Sequence, residues 1–444
     1  GDFGARFGMG TSINTGLRTG LSLPQSGYLS GGDEIKPYTS TDENIFFRGV
    51  AAQFQIRKTG LSIFYSVNRI DATVDTAENA PILFIETFQT SGLHNNISSL
   101  EKKDAVTEYC YGLNVSSDFK YFRLGMVWMG SKFSLPVIRT NPDPEKIYDF
   151  EGTGNITAAA YYKAILGKML FYGEVSSNLN QKLAIVQGLS FRPSDRLSIN
   201  LLYRDYNPGF ISFHGKGLFS SSAGNNVRGV FGNFTFEAAR HLFVSAGCDL
   251  RFYPWFKYRC SAPSAAVSKE VRLKYLPSDK ITFEAVYNSR QSMLNLDKTD
   301  GIKKQGIFAG SLVKGVVKYS PDDNLTFGIR LDYKIIRPDG ARGMLLLQDI
   351  SYRFGKIPLS VWFRYCIFRT DDWDSRLYTY ENDLLYSFSI PALSGEGSRS
   401  YLMIAWRAMK FIEFRIKYGL TEIKKENDDN SETEELKMQV KIRF

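Results

Sequence analysis

Leu436-Lys437-Met438-Gln439-Val440-Lys441-Ile442-Arg443-Phe444 decides the fold. Every even position is apolar and every odd position but the last pair's arginine is lysine or glutamine, so the polar set is unbroken. Side chains alternate across a strand, so this ribbon has one oily and one wet face. The pattern recurs upstream. Ile412, Phe414, Ile416, Tyr418 and Leu420 alternate with Glu413, Arg415 and Lys417. Leu325, Phe327, Ile329, Leu331 and Tyr333 alternate with Arg330, Asp332 and Lys334. Ile281, Phe283, Ala285 and Tyr287 oppose Glu284, and Leu197, Ile199, Leu201 and Tyr203 oppose Asn200 and Arg204. A helix would break this period within a turn.

Turns punctuate the strands. Pro193-Ser194-Asp195, Pro277-Ser278-Asp279 and Pro321-Asp322-Asp323 are near copies. Proline fixes φ and aspartate bonds its own backbone, so each predicts a tight hairpin. Further short turns are expected near Lys58-Thr59-Gly60, Ser117-Asp118, Leu166-Gly167, Ala239-Arg240, Gly355-Lys356 and Met409-Lys410. Longer loops are expected, on the extracellular side, at about 24–45, 71–104, 133–152, 207–225, 291–305, 370–397 and 422–434. These turns imply about eighteen strands; one near 12–22 and the C-terminal strand raise the total to about 20, with a range of roughly 18–22. The segment 378–391 also reads as a strand, but an even count assigns it to a folded outer loop.

Strands of this length cross a bilayer, and mid-strand charges require water or protein on one face. An open edge in lipid would strand backbone polar groups, so the sheet must close. The expected fold class is therefore all-β: a single transmembrane antiparallel up-and-down β-barrel over residues 1–444. Composition agrees. Aromatics are 14% of the 444 residues and charged residues 23%, which excludes a disordered or coiled-coil chain. Trp128, Trp362 and Trp406 are candidates for interfacial girdles, or for ordinary lipid-facing packing. The net charge of +9 is spread along the chain and forms no basic arm. Cys110, Cys248, Cys260 and Cys366 make no disulfide framework. Cys248 and Cys260 are close enough in sequence to pair in an oxidising compartment, although isolated thiols fit the spacing better. His94, His214 and His241 lie far apart, which speaks against a histidine-built metal site. No metal or cofactor is expected. No nucleophile–base set or phosphate-binding glycine loop stands out, so no enzymatic activity is expected.

Several stretches resemble a family of outer-membrane barrels of Bacteroidota in which the barrel follows a periplasmic region of helix-hairpin-helix modules. They are Gly1-Asp2-Phe3 with Phe7-Gly8-Met9-Gly10, then Lys36-Pro37-Tyr38-Thr39-Ser40-Thr41-Asp42-Glu43-Asn44 leading to Phe46-Phe47-Arg48-Gly49. Asp374-Ser375-Arg376-Leu377-Tyr378 and Tyr380-Glu381-Asn382-Asp383-Leu384-Leu385-Tyr386, followed by Pro391, complete the set. The family usually has Gln where Met9 stands. The resemblance implies an outer-membrane location, no known catalytic chemistry, and a chain that begins just after the helix-hairpin-helix region, with its N-terminus periplasmic. It supports no contact between this chain and nucleic acid. The terminal Phe444, closing an amphipathic strand, resembles the sorting signal read by the barrel-assembly machinery.

The candidate site residues fall into three groups. The expected lumen-facing charges are Arg204, Lys274, Glu284, Arg330, Asp332, Lys334, Glu413, Arg415, Lys417, Lys437, Lys441 and Arg443. They are mixed in sign and lean positive, which favours anionic solutes in an open lumen and mutual pairing in a filled one. Asp42, Glu43 and Arg48 are candidates for a constriction or plug, against the plainer reading of a loop base that fixes register. Glu381 and Asp383 lie in a candidate partner-binding, substrate-binding or lid loop, against the plainer reading of a wall hairpin. The acidic run Glu426-Asn427-Asp428-Asp429-Asn430 lacks an ordered Ca²⁺-ligand pattern and reads as a solvated loop.

A barrel this wide cannot be filled by wall side chains alone, so water or inserted chain must occupy it. Two functions follow as expectations. One is a non-catalytic accessory or scaffold subunit of a larger envelope assembly; the other is a passive or gated porin-like channel for hydrophilic, anionic solutes. The expected partners are outer-membrane lipids and lipopolysaccharide, the barrel-assembly machinery and other envelope proteins.

Overall fold

The structure is a computed structural model. It describes residues 1–14, 32–38, 46–76, 82–89, 94, 96–140, 143–215, 225–295, 304–385, 387, 389–424 and 431–443. Phe444, Asp42, Glu43 and the acidic run 426–430 lie outside the described residues.

Among the described residues there are twenty-six strands, and nineteen of them have ten residues or more. Helix among these residues is limited to Ile97–Glu101 and one 3₁₀ turn at Pro144–Lys146. The fold class is all-β, an antiparallel up-and-down sheet of the transmembrane barrel kind. All nine expected short turns join consecutive long strands. At Pro321-Asp322-Asp323 the mechanism is visible: Asp322 Oδ1 accepts the N–H groups of Asn324 and Leu325 at 2.7 and 3.0 Å.

The chain contacts divide it into two compact units. The first comprises Gly1–Phe234, Asp249–Ala266 and Met293–Gln305; the second comprises Thr235–Cys248, Val267–Ser292 and Gly306–Phe444.

In the first unit the strand Thr59–Ile70 shows how the wall is built. Ser62, Phe64, Ser66 and Asn68 are buried, while Ile63, Tyr65 and Val67 are exposed. Phe122–Val137 exposes Leu124, Met126 and Trp128 and buries Val127, Met129 and Ser131. In the second unit Ile412–Lys424 exposes Phe414, Ile416 and Tyr418 and buries Lys417. Ser431–Ile442 exposes Leu436, Met438, Val440 and Ile442, as its alternation requires. Oily side chains are thus exposed along strand after strand, and serine, asparagine and charged groups are buried. Soluble proteins rarely expose apolar patches beyond a few hundred Å². Lipid on the exposed face reconciles the arrangement with the hydrophobic effect.

Of the strand placed near 12–22, only 12–14 is described, with Ile13–Asn14 paired to Phe7 and Arg6; 15–31 lies outside the described residues. Two expectations need correction. The loop 24–45 contains the strand Gly32–Pro37, which pairs along Asp2–Gly8. The loop 71–104 contains a hairpin of Ala72–Thr76 with Leu83–Phe88, and the short helix whose Asn96 cap accepts the Ser99 N–H at 2.8 Å. The four cysteines are free thiols.

A charge placed on the oily face tests the orientation. Ile416→Arg is expected to cost ~2–4 kcal/mol if it lies at the bilayer midplane. The check is the urea midpoint of chain folded into lipid vesicles; an unchanged midpoint with Ile416→Arg would remove the assignment of this face to lipid.

Candidate functional site

Each unit carries segments of its own chain against the polar face of its wall. In the first unit these are Asp2–Gly8, Ile13–Asn14, Gly32–Pro37 and 207–215. Phe3, Ala5, Phe7 and Ile13 are buried with Phe64, Cys110, Val127, Met129 and Tyr161 from the wall. Met9 joins a second cluster with Tyr172, Val186, Leu202 and Phe231.

The Phe7-Gly8-Met9-Gly10-Thr11 turn explains its two glycines. Gly8 and Gly10 have φ of +56° and +85°, where a Cβ is unfavourable. This turns successive N–H groups to one side, as in an anion-binding nest. The Glu174 carboxylate fills it, accepting from Met9 N at 2.5 Å and Thr11 N at 3.1 Å. The Thr11 hydroxyl also reaches Glu174 and Ser176, and Ser176 donates to Glu174 at 3.1 Å. A Cβ on Gly8 would collide with Glu174 and Tyr161. On Gly32–Pro37, Asp33 accepts from Tyr161 Oη at 2.6 Å and Ser116 Oγ at 3.1 Å, and pairs with Arg123 at 2.5 Å. Segment 207–215 is pinned by Asn155 Nδ2 donating to Ile211 O at 2.7 Å and by Ser212 Oγ donating to Ser12 O at 2.9 Å.

In the second unit, 371–395 leaves the strand Leu359–Thr370 and lies against the wall before Glu396–Met409 begins. Leu377 and Leu393 pair with each other and pack among Leu345, Leu347, Cys366 and Phe368. The docking is mainly to the backbone. Lys334 Nζ donates to Asp374 O at 2.7 Å and Arg376 O at 2.9 Å. Arg330 Nη2 donates to Tyr378 O at 3.1 Å, and Arg364 Nη1 to Tyr380 O at 2.5 Å. An extended chain turns every second carbonyl the same way. The oxygens of 376, 378 and 380 therefore meet a row of wall cations. Arg330 and Arg364 are each held in a two-bond fork by Asp332 (2.8 and 2.5 Å) and Asp349 (2.6 and 2.9 Å).

Beyond this row the segment's own acids meet the wall. Arg399 binds Glu381 through two bonds of 2.7 and 2.9 Å, and Lys417 Nζ lies 2.9 Å from Glu381. The side chains of Lys417 and Glu381 are 0% and 1% exposed. Asp383 pairs with Lys437 at 3.2 Å, with Lys417 at 3.9 Å. Burial pushes the Glu381 carboxyl up, but the hydrogen bonds from Arg399 and Lys417 outweigh it and hold it below the usual carboxylate range. Leu385 N donates to Gln439 Oε1 at 2.9 Å, and Gln439 Nε2 returns a bond to Leu385 O at 3.2 Å. The segment is thus neither a surface loop nor a wall extension; it is an inserted element.

The remaining expected charges make local pairs. Arg204 is fully buried against Asp249 at 2.7 Å. Glu284 pairs with Arg272 at 3.2 Å, and Glu413 with Arg415 at 2.8 Å. Lys441 and Lys274 are both half-buried, on Ser431–Ile442 and Ser264–Ser278. Arg443 is exposed beyond the end of its strand, its N–H bonded to Phe411 O at 2.8 Å, so its expected place facing a lumen is not seen. Arg48 does not reach wall charges. It forks onto Asp2 at 2.8 and 3.2 Å on an exposed surface and ties the N-terminal strand to Phe47–Ile56. The sequence reading missed Glu174, Asp33, Arg364 and Arg399. Arg364 and Arg399 sit on the polar parity of their strands and were findable by the rule that found Arg330.

Beside the inserted segment of the second unit lies a cavity of about 580 Å³. Arg272, Arg290, Lys314, Arg330, Lys334 and Arg376 line it, against Glu270, Glu284, Asp332 and Asp374.

No family model matches the chain, and no curated protein does either. Among solved structures, the chain is similar to a siderophore receptor, PirA, from Acinetobacter baumannii. The identity is 9% and the TM-score 0.47, over 89% of this chain and 70% of that one. It is also similar to the ferric enterobactin receptor PfeA of Pseudomonas aeruginosa, at 10% identity and a TM-score of 0.48, over 83% of this chain and 62% of that one. The outer membrane channel DcaP of Acinetobacter baumannii matches at 10% identity and 0.35, over 76% of this chain and 97% of that one.

Removing the Glu381 charge strips buried Arg399 and Lys417 of their shortest ion pairs and leaves them only Glu435 at 3.4 Å and Asp383 at 3.9 Å. Glu381→Gln is expected to destabilise the docked segment by roughly 3–5 kcal/mol. Limited proteolysis within 371–395 reads this; equal resistance in variant and wild type would refute it. Because the folded Glu381 value is lowered, its stabilisation is complete at neutral pH and is lost as pH falls below the ordinary carboxylate range through that value. Protease resistance of the segment should fall in the same direction, and Glu381→Gln should flatten the profile.

Proposed function

We propose that the chain is a non-catalytic barrel of the bacterial outer membrane, with its N-terminus on the periplasmic side, that serves as an accessory or scaffold subunit of a larger envelope assembly. The observation that carries this reading is that the polar wall of each unit is engaged by the chain's own inserted segments. A diffusion pore leaves that wall to water. Here Glu174, Arg123, Arg330, Lys334, Arg364, Arg399 and Lys417 on the wall engage the inserts through hydrogen bonds and ion pairs. Lipid and lipopolysaccharide surround the oily face, the assembly machinery inserts the chain, and other envelope proteins are its working partners. The link to a helix-hairpin-helix module rests on the family resemblance of the motifs at 1–10, 36–49 and 374–391.

One observation favours a second reading. The cavity in the second unit has more cationic than acidic side chains. A gated channel for small anionic solutes, with 371–395 as its gate, would use that excess.

Planar-bilayer recording of the purified chain separates the two. The scaffold reading expects no steady conductance steps in wild type, and none in the paired variant Glu381→Gln with Asp383→Asn. Anion-selective steps that appear only in the variant would support the gated channel. Large, steady steps in wild type would overturn the scaffold.

A further inference from the structure

Glu108 and Cys110 are two positions apart on the strand Val106–Asp118, so both side chains fall on its buried face. His214 arrives from the inserted segment 207–215. Its Nε2 lies 2.8 Å from Glu108 Oε1 and 3.5 Å from Cys110 Sγ. All three donor atoms lie within 4.8 Å of one another, and all three residues are buried. Ser131 Oγ is 3.4 Å from the same sulfur.

An ion pair accounts for Glu108 and His214 alone. It does not account for a thiol converging on a nitrogen that already has a partner. We propose that Glu108, Cys110 and His214 bind a divalent transition-metal ion of the Zn²⁺ class, with water or the Ser131 hydroxyl at the fourth position. A sulfur, a nitrogen and an oxygen in tetrahedral array suit that ion, whereas Ca²⁺ and Mg²⁺ take oxygen ligands alone. Ligand bonds of about 2.0–2.3 Å set tetrahedral donors roughly 3.3–3.7 Å apart, so the Glu108–His214 gap opens by roughly 0.5 Å or slightly more. The Phe47 ring, 4.8 Å from the imidazole between centroids, supplies an apolar flank that limits water.

Binding breaks the His214–Glu108 hydrogen bond. The Nε2 proton that faced Glu108 and the Cys110 thiol proton both go to solvent, leaving a neutral imidazole that ligates through Nε2 and carries its remaining proton on Nδ1. The ion fastens the insert to the wall. Because His214 O accepts the Asn14 N–H at 2.7 Å, it steadies the N-terminal segment as well.

The test uses the full folded chain in detergent, stripped with a chelator and titrated with Co²⁺ and then Zn²⁺. The expected result is uptake of one equivalent with a thiolate-to-cobalt band in the near ultraviolet, displaced by Zn²⁺. Cys110→Ser and His214→Gln should lose the band while keeping the heat-resistant folded form on a gel. Zn²⁺ should also shield Cys110 of the wild type from alkylation, read by peptide mass, which keeps the test decisive if a variant does not fold. Folded wild type that takes up neither ion, or variants that bind as wild type does, would overturn the site.

Discussion

Within hydrocarbon no water is present to receive a backbone N–H or C=O, and that constraint organises this chain. Strands satisfy it by pairing, and pairing fixes the alternation of side chains. One face then meets lipid and must be apolar. The other face cannot, and it gathers serine, asparagine, arginine and lysine, as Thr59–Ile70 and Ile412–Lys424 do. Solving the backbone problem thus creates a second one. A polar wall facing inward needs partners of its own, and each unit finds them in segments that leave the strand ladder.

The two units use different chemistry for that purpose. In the first, a carboxylate on the wall receives backbone N–H groups from a glycine-rich turn, with aromatic packing around it. In the second, cations on the wall donate to backbone carbonyls, and acids on the insert meet buried cations. Wall aspartates hold Arg330 and Arg364 by forked bonds. Such pairs orient a guanidinium more than they stabilise a fold, because desolvation offsets most of the Coulomb gain. Their role here is to aim.

The wall was legible in the sequence and the inserts were not. Hairpin turns such as Pro193-Ser194-Asp195 are local: proline, aspartate and strand parity lie within a few residues. The same parity placed Arg330, Lys334 and Lys417. By contrast, Phe3, Ala5 and Phe7 alternate with Asp2, Gly4 and Arg6, but a period of two reads the same in a wall strand and in an inserted one. Glu174 meets Met9 across 165 positions, and nothing near either residue announces the other. Glu381 and Asp383 drew attention as charges on a long loop, but their partners on three different strands follow only from the fold. His214 was set aside because the histidines are far apart in sequence; its neighbours are a glutamate and a cysteine instead.

Leu377, Glu381 and Asp383 hold by their side chains, but at 376, 378 and 380 the grip falls on carbonyl oxygens, a group common to all amino acids. The rings of Tyr378 and Tyr380 are both exposed. The path of this stretch is therefore set by the main chain, while its outward alphabet is at liberty. Residues there can drift, or be recoded for a new contact, without loosening the anchorage beneath them.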